Sequence, residues 1–543
     1  MIDQIITLIK NPKKAILILT IITLLVWLPL LRNGFVWDDE EQIVNNTVIR
    51  QLNNIPALFT ASTFNAGGTP TLSGLYYKPI MPVTFAINYA LFGLHAWGYH
   101  LGQLLLHLLV VLLIYKLTNS LFRFEFPQEA SVMAFFVSLT FAIHPANCEA
   151  VVYLSSLQEI LYTLFGLLAF KLILVFQKDK SLFKLLIIAI TLLLFSLLSK
   201  ESGLVFLAII TLWLYLFDRI LIPLWSIFSL ISLVIYSLLR FGIAQVPISH
   251  QTIAPIANTP LGNRLLTIPF EIFSYLRIFI FPKNLFIAQH QLITSINDPR
   301  FYLTFPVVII FLIFLFILWR KTKSKLLLFF ETWFLVSISI TLNIFPLDMT
   351  IAERWLYTPI IGLLGTMAIL IHQINRQKPK AGPFFKIFLV IIIICFSMRT
   401  FARTLNWQSG STLFSHDVHL NPEAFDLQNN LGVELFRRGQ TEKARPCFEK
   451  SIQLAPNWWT PYNNLGAYWE QKKDYQKALD YYQKSIQAGD YYLAYENYAN
   501  LLIKLGRVST AKEFIDRALK KFPLNQRLRY LANSITKKEI NHE

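Results

Sequence analysis

Apolar runs long enough to cross a lipid bilayer recur through the first three quarters of this chain. Each has roughly 18–20 residues, and about 20 apolar residues in a helix span the hydrocarbon core of a membrane. The chain of 543 residues is 55% hydrophobic with a mean hydropathy of +0.49, which excludes an ordinary soluble protein. We predict about eleven spans, at residues 15–31, 95–117, 130–144, 157–177, 181–198, 202–218, 222–241, 301–319, 326–345, 353–373 and 384–402.

The composition changes abruptly after residue 403. Charged residues, Asn, Gln and Tyr become frequent there, and no long apolar run follows. We therefore expect an all-α chain with two domains. A polytopic membrane domain occupies 1–402, a linker follows at 403–424, and a soluble helical domain occupies 425–540.

The net charge of +17 is distributed as membrane-topology signals. Short Lys and Arg clusters stand between the apolar runs, which is the pattern of the positive-inside rule and argues against a nucleic-acid partner. With the N-terminus in the cytosol, the strong clusters at 320–325 and 376–386 fall inside only if 264–282 does not span. We expect 264–282 to lie along the outer interface, which places the C-terminal domain outside the cytosol. The first run has no small-residue cleavage site and is interpreted as a retained anchor.

The soluble part contains an internal repeat. Small and aromatic residues recur at shifts of 34 and then 33 positions, as Leu431-Gly432, Ala444 and Phe448; Leu465-Gly466, Ala478 and Tyr482; and Tyr498-Ala499, Ala511 and Ile515. The pattern resembles the tetratricopeptide repeat, a pair of helices that approach closely at the small residues. We place repeats at 425–458, 459–491 and 492–525, with a capping helix at 526–540. Such a solenoid has a groove for extended polypeptides, and a spacer that packs on the membrane domain is the alternative.

Four consecutive acids follow the first apolar run, in the segment NGFVWDDEEQIVNN at 33–46. A carboxylate near a membrane surface can act as a general base on a hydroxyl or hold a divalent metal ion. The alternative is a structural role, since negative charge is favourable at the start of a helix. Asp38 and Asp39 are the candidates for chemistry. Tyr77 and Lys78, in the segment YYKP of the same predicted outer loop, are weaker candidates for substrate binding.

The next predicted outer turn reads HPANCEAVVYLSS, residues 144–156. His144 ends an apolar run and is a candidate site residue, with a helix cap as the alternative. Glu149 and Glu159 are ten residues apart, close to three helical turns, so we expect them to share one face of a helix. Glu159 lies within an apolar stretch, and a carboxylate inside a membrane segment indicates function.

Two further predicted outer turns carry charged pairs. Lys200 and Glu201 are expected to form an ion pair with each other. Glu353 and Arg354 open a predicted span and precede Trp355. The planar guanidinium of Arg354 suits the oxygens of a lipid phosphate, and an interfacial anchor is the alternative reading.

The order of these motifs resembles the transmembrane and tetratricopeptide-repeat O-mannosyltransferase family, which is part of the C-type glycosyltransferase superfamily. The resemblance rests on FVWDDEEQIVNN, YYKPIMPVTFAINYALFGLHAWGYHLGQLLLH, FAIHPANCEAV, SKESG and AERWLYTPIIG, followed by the repeats. It implies an inverting enzyme that moves a sugar, mannose in the eukaryotic relatives, from a polyprenyl- or dolichyl-phosphate to a hydroxyl, typically of a protein Ser or Thr. Beside this lipid-linked co-substrate, no cofactor and no metal ion is expected.

The resemblance also implies roles for residues. The acidic motif of the family falls on Asp38 and Asp39, one of which would deprotonate or orient the acceptor, while the two acids that follow remain helix-start charge. Arg354, and after it Lys200, would bind the phosphate as its negative charge grows. The segment YLSSLQEIL keeps Glu159 but lacks an arginine that relatives often have there, which leaves donor contacts in that helix open.

Two other classes of protein are alternatives for this sequence, a scaffold and a transporter. A catalytically silent scaffold would recruit partners through the repeats. A transporter would place its ionisable residues near the middle of the membrane, whereas here they cluster at one end of the predicted spans. The three cysteines lie far apart and indicate neither a metal site nor a disulfide framework. The expected location is the cell membrane of a prokaryote or the ER membrane of a eukaryote, with the repeats on the extracytoplasmic side.

Overall fold

The protein is all-α, as the sequence predicts. The structure, a computed structural model, describes residues 2–63, 76–181, 183–247, 254–378, 382–523 and 525–540. Within these ranges the β-type pairing consists of one isolated antiparallel bridge, between Gln289 and Ile351. The described residues form two compact bodies, the first from 2–39, 49–63 and 76–408 and the second from 40–48 and 409–540.

The first body is a bundle of apolar helices joined by short turns. The helices are α1 (Ile2–Ile9), α2 (Pro12–Trp27), α3 (Ile80–Phe92), α4 (Ala96–Phe122), α5 (Ala130–Ile143), α6 (Cys148–Val152), α7 (Leu157–Lys178), α8 (Phe183–Ser199), α9 (Leu204–Phe217), α10 (Ile222–Ser237), α11 (Leu261–Ile280), α12 (Pro299–Thr322), α13 (Lys325–Ser339), α14 (Pro359–Gln377) and α15 (Gly382–Asn406).

Every predicted span corresponds to one helix of this bundle. By length and hydropathy, however, only six stretches of the described residues are suited to cross a membrane: 12–32, 96–122, 154–178, 219–243, 299–322 and 387–406. A seventh forms if α5 and residues 145–152, which are bent by 52° from each other, are taken as one broken span. Helices α8 and α9 are apolar but shorter. The chain is therefore a membrane protein with several spans, and the expected number of eleven is not confirmed.

Two segments differ from the sequence prediction. The predicted loop 32–94 contains α3, whose thirteen residues are almost all apolar. Helices α13 and α14 are shorter than the predicted spans, because residues 340–358 form turns and the 3₁₀ helix Glu353–Leu356. The segment 264–282, expected to lie along the outer interface, forms α11, which is not among the six stretches of the described residues suited to cross a membrane. It packs against α12 and buries Glu271. The Glu271 carboxylate accepts a hydrogen bond from Asn343 at 2.9 Å, so this buried acid has a polar partner.

The core of the bundle lies around α4. This helix packs against α2, α5 and α7, and its side chains from Val110 to Leu117 are mostly buried. Helices α13 and α14 approach so closely that a methyl group at Gly362 would overlap the backbone at Phe334. The loops that carry the candidate site residues join the ends of these packed helices, so the bundle determines where the charged side chains meet.

The second body contains the predicted repeats. Its helices are α16 (Gly410–Leu420), α17 (Phe425–Arg437), α18 (Thr441–Leu454), α19 (Trp459–Gln471), α20 (Tyr475–Ala488), α21 (Tyr492–Lys504), α22 (Val508–Lys521) and α23 (Gln526–Ile540). Gly466 of α19 lies against the ring of Tyr482 in α20, as the small-residue pattern requires. The turns contain Gly439 and Gly506 at φ 74°, and the middle repeat places Lys473 at φ 63° in the equivalent turn.

Residues 403–424, assigned to a linker by the sequence, are largely helical. Helix α15 continues to Asn406, and α16 follows after a capping box in which Ser409 and Thr412 exchange side-chain and main-chain hydrogen bonds. Glu40, expected to be helix-start charge, opens a π-helical turn, Glu40–Val44, that belongs to the repeat body. Its carboxylate binds the guanidinium of Arg437 through two contacts, of 2.5 and 2.7 Å.

Candidate functional site

The loop that carries the acid pair is fastened to the end of α15. Asn33 donates its side-chain amide to the carbonyl of Thr404 at 3.2 Å, and the N–H of Gly34 bonds the carbonyl of Gln408 at 3.1 Å. The chain shortly before Asp38 and Asp39 is thereby fixed. Because α2 packs on α15, the first and last apolar helices of the bundle jointly position this loop.

Asp39 is fully buried and both of its carboxylate oxygens are engaged. Oδ1 accepts hydrogen bonds from the N–H and the hydroxyl of Ser155, at 2.8 and 2.6 Å, and Oδ2 accepts from the N–H of Val36 at 3.1 Å. Burial raises the pKa of Asp39 to about 7, although the three hydrogen bonds favour its ionised form. These contacts give Asp39 the environment of a side chain that fixes a loop.

Asp38 lies beside it in a different environment. Its side chain is half-buried, and its Oδ2 accepts a hydrogen bond from the hydroxyl of Tyr153 at 2.6 Å. Neighbouring residues thus diverge: one carboxylate points into the protein, and the other remains partly accessible. The sequence alone did not decide which of the two acids is accessible.

Arg354 pairs with Glu149. Both the guanidinium Nη1 and the main-chain N–H of Arg354 bond the Glu149 carboxylate, the latter at 2.9 Å. Nη2 lies 3.8 Å from a carboxylate oxygen of Asp348, which is 43% exposed. Both partners of the Arg354–Glu149 pair are buried, and removal of either would leave an uncompensated buried charge.

Lys200 and Glu201 do not pair with each other. The chain turns between them, so Lys200 bonds Glu159 at 2.5 Å while Glu201 bonds Arg240 at 2.6 Å. Arg240 is held in turn by the hydroxyl of Tyr236 at 2.9 Å. The expected couple is thus wrong, because adjacent side chains on a 3₁₀ turn reach different neighbours.

Glu149 and Glu159 do not share a helix face. Helix α6 ends at Val152, Tyr153 is extended at φ −77° and ψ 112°, and α7 begins only at Leu157. The interruption sends Glu149 to Arg354 and Glu159 to Lys200. It also allows Tyr153 and Ser155 to bond the carboxylates of Asp38 and Asp39.

Lys78 is also a buried cation, but its surroundings differ from those of Arg354 and Lys200. Only 9% of the residue is exposed, and its ammonium lies 4.1 Å from the centre of the Tyr76 ring. In the described part of the chain no carboxylate oxygen lies within 4.0 Å of it. Burial lowers the pKa of Lys78 to about 8, with the charge of Glu201 acting in the opposite direction. Tyr77 points elsewhere, since its hydroxyl donates to the carbonyl of Phe59 at 2.9 Å.

The charges from separate loops converge around Tyr76. The charge of Asp348 has the largest effect and, together with burial, raises the pKa of Tyr76 well above its ordinary value. The charges of Glu201 and Asp38 also raise this pKa, whereas that of Arg354 lowers it. Lys78 is influenced by the charge of Lys200 as well. The acid loop, the YYKP segment, the α8–α9 turn and the segment before α14 therefore meet in one electrostatic cluster.

One predicted site residue, His144, lies apart from this cluster in its contacts. His144 is buried, accepts the N–H of Ala146 at 3.2 Å, and has Nε2 3.0 Å from the carbonyl of Phe279, so it acts as a cap. Glu353 is buried in its 3₁₀ turn. No group of three or more His, Cys, Asp and Glu side chains in the described ranges is arranged to hold a metal ion.

Four residues near the acids were not singled out from the sequence: Tyr153, Ser155, Arg240 and Asp348. Tyr153 and Ser155 stood inside the quoted turn HPANCEAVVYLSS, yet nothing local to the sequence distinguishes them. Asp348 could have been found, because PLDMTIAER places an acid shortly before Arg354 in a predicted outer turn.

The fold and these contacts define a class: a helical membrane protein whose buried ion pairs join the ends of its helices, and which also carries tetratricopeptide repeats. The tetratricopeptide-repeat family matches residues 423–489 and, in a second overlapping match, residues 471–535. The repeats predicted from the sequence are therefore confirmed.

Known relatives share most of the chain. It is 26% identical over 442 residues to the protein O-mannosyl-transferase F38B6.6 of Caenorhabditis elegans, which covers 79% of this chain and 61% of that protein. It is 27% identical to human protein O-mannosyl-transferase TMTC3 and 25% identical to Drosophila melanogaster Tmtc3, over 81% and 77% of this chain. The chain spans about half the length of the two TMTC3 proteins, 51% and 52%. The resemblance predicted from the motifs is confirmed.

Proposed function

We propose that the chain is an integral-membrane glycosyltransferase that moves a sugar, mannose in the first instance, from a polyprenyl- or dolichyl-phosphate to a protein Ser or Thr hydroxyl. The names of the relatives support sugar transfer to protein. The observation that carries the proposal is the partly accessible carboxylate of Asp38 beside a cluster that holds three cations, Lys78, Lys200 and Arg354.

The contacts favour Asp38 over Asp39 as the general base. A base must reach the acceptor hydroxyl, and the Asp38 side chain is half-buried, with its Oδ2 2.6 Å from the hydroxyl of Tyr153. Asp39 is inaccessible and saturated by three hydrogen bonds. Asp39 then serves the reaction by holding the loop on which Asp38 stands.

The leaving phosphate requires a cation, and the three candidate cations differ in whether a carboxylate of the protein already pairs with them. Arg354 is engaged by Glu149, and Lys200 by Glu159. Lys78 alone of the three has no carboxylate partner among the described residues, so a phosphate would supply the missing counter-charge. We assign Lys78 the most direct contact with the donor phosphate and give Arg354 and Lys200 a supporting role.

The reaction follows from these placements. Asp38 accepts the proton of the acceptor hydroxyl as its oxygen attacks the anomeric carbon of the sugar. The bond between that carbon and the phosphate oxygen breaks, and the electron pair leaves on the lipid phosphate, where the cations stabilise it. Attack from the face opposite the phosphate inverts the configuration at the anomeric carbon.

The acceptor and the location complete the proposal. The repeats belong to a family of solenoids with a groove for polypeptides, which suits a protein acceptor. The charge pattern of the loops favours an extracytoplasmic site and extracytoplasmic repeats. Membrane lipids surround the bundle, and the lipid-linked sugar is the only co-substrate that the mechanism requires.

The test is transfer of radiolabel from polyprenyl-phosphate mannose into protein, in membranes that contain wild-type, Asp38→Asn or Asp516→Asn protein. Loss of the base is expected to lower transfer by about 10²- to 10⁴-fold. Asp516 is an exposed acid of α22, and its variant should match the wild type. Equal transfer by Asp38→Asn would remove the base from the mechanism. Wild-type transfer no greater than that of empty membranes would instead favour the catalytically silent scaffold.

A further inference from the structure

Three aromatic rings from distant parts of the chain form a stack beside the acid pair. The ring of Tyr153 lies 5.0 Å from that of Trp37, with 15° between their planes, and 5.6 Å from that of Trp407, with 28° between the planes. Trp37 precedes Asp38, Tyr153 joins α6 to α7, and Trp407 follows α15. Tyr153 and Trp407 are buried.

The backbone at Trp37 is strained. Its φ is 58°, in the left-handed region that a bulky residue seldom adopts. Such a conformation persists only where surrounding contacts hold it, and it is frequent at functional sites. Here the stack on Tyr153 supplies one such contact. The turn at Trp37 directs the next two residues, Asp38 and Asp39, toward Tyr153 and Ser155.

The stack leaves the Tyr153 hydroxyl in one place, 2.6 Å from the Asp38 carboxylate. Burial, followed by the charges of Asp38 and Asp39, raises the pKa of Tyr153 well above its ordinary value, so the phenol remains a hydrogen-bond donor at neutral pH. A donor to a carboxylate favours the ionised form of that carboxylate over the protonated form. Ionised carboxylate is the form that a general base requires.

We propose that Tyr153, clamped between Trp37 and Trp407, is a positioning residue that orients Asp38 and keeps it ionised. The inference rests on the proposed function, in which Asp38 is the base. It assigns to the aromatic stack a role in catalysis that neither the motifs nor the relatives' names contain.

The decisive variant is Tyr153→Phe, which retains the ring and its stack but removes the hydroxyl. In the transfer assay we expect kcat/KM to fall about tenfold and the acidic limb of its pH profile to move upward by about one pH unit. The KM for polyprenyl-phosphate mannose should stay within about twofold, since the role proposed for Tyr153 is exerted through its hydrogen bond to the base. The matched control is Tyr99→Phe, which removes from a buried tyrosine a hydroxyl that donates to the carbonyl of Gly93 at 3.0 Å.

A second measurement keeps this inference separate from the proposed function. Difference infrared spectroscopy of the full chain, with Asp38→Asn to identify the band, follows the titration of the Asp38 carboxyl without any transfer. A midpoint that moves upward in Tyr153→Phe and not in Tyr99→Phe supports the role of Tyr153, even if no sugar is transferred. A midpoint that does not move in Tyr153→Phe overturns the role of Tyr153. This holds even if Asp38→Asn abolishes transfer and thereby supports Asp38 as the base.

The clamp is tested by Trp407→Phe and Trp407→Ala. Phe retains a stacking ring and should preserve the Asp38 midpoint, whereas Ala should move it in the same direction as Tyr153→Phe. If Trp407→Ala lowers only the unfolding temperature and leaves the midpoint in place, the stack is merely structural and the clamp is refuted.

Discussion

Lys78 gives the most direct test of how the site balances stability against binding. The perturbation is Lys78→Gln, which removes the charge and keeps a polar side chain of similar reach. In the free protein the ammonium is buried, and its compensation comes from the Tyr76 ring, 4.1 Å away, and from carboxylates beyond ion-pair distance. A phosphate would remove this imbalance, so the same charge should cost stability in the free protein and contribute affinity in the complex.

The magnitude follows from the lowered pKa. Burial moves the pKa of Lys78 from 10.5 to about 8, and each unit corresponds to about 1.4 kcal/mol. A charged Lys78 therefore destabilises the free protein by about 3 kcal/mol at neutral pH. The folded-state pKa of Lys78 lies below the unfolded value of 10.5. The free energy of unfolding is therefore higher at high pH, where Lys78 is neutral, and it decreases as the pH falls from about 10.5 through about 8. Lys78→Gln should raise the unfolding temperature by a few degrees at pH 7.

The binding effect has the opposite sign. A charge-assisted hydrogen bond contributes about 1.5–3 kcal/mol, so Lys78→Gln should weaken the binding of farnesyl phosphate roughly 10- to 100-fold. Binding by the wild type should also weaken as the pH rises through about 8, where Lys78 loses its proton. Lys78→Arg should retain affinity above that pH, because a guanidinium stays charged.

The assay is calorimetric titration of the full chain in detergent with farnesyl phosphate, inorganic phosphate and farnesol, together with thermal unfolding. Lys116→Gln, which removes an exposed lysine of α4, is the control and should change neither quantity. Binding of farnesyl phosphate but not of inorganic phosphate identifies a lipid phosphate as the ligand. A variant Lys78→Gln that unfolds earlier and binds farnesyl phosphate as tightly as the wild type would refute the reasoning.

Two further predictions concern other parts of the chain. Burial raises the folded-state pKa of Asp39 to about 7, above its unfolded value of 3.8, so its stabilising contribution is complete below pH 3.8 and is lost as the pH rises through about 7. The unfolding temperature should fall between about pH 4 and pH 7, and Asp39→Asn should flatten that dependence; an unchanged slope contradicts the assignment. A methyl group at Gly466 would overlap the Tyr482 ring, so Gly466→Ala should cost about 1–3 kcal/mol and speed proteolysis of the repeats. Gly262→Ala, where the added methyl meets open space, should not.

The sequence by itself determined the helices and the repeats of this protein. Apolar length and the spacing of small residues are local properties, and a helix forms wherever they persist over several turns. For this reason the predicted spans coincide with helices, and Gly466 faces Tyr482 as its repeat position requires. The local pattern also located the acids at the end of the first run. It failed between Glu149 and Glu159, where the extended Tyr153 interrupts a helix that the period alone would have continued.

Only the tertiary structure decided which charges meet. Arg354 and Glu149 are 205 positions apart, and Tyr153 and Asp38 are 115 apart, so no periodicity in the chain relates them. Their pairing depends on which helix ends the packed bundle brings together. Packing likewise separated Asp38 from its neighbour Asp39, because successive side chains point in different directions and only one of them points into the protein. The sequence presented two equivalent acids, and burial made them different.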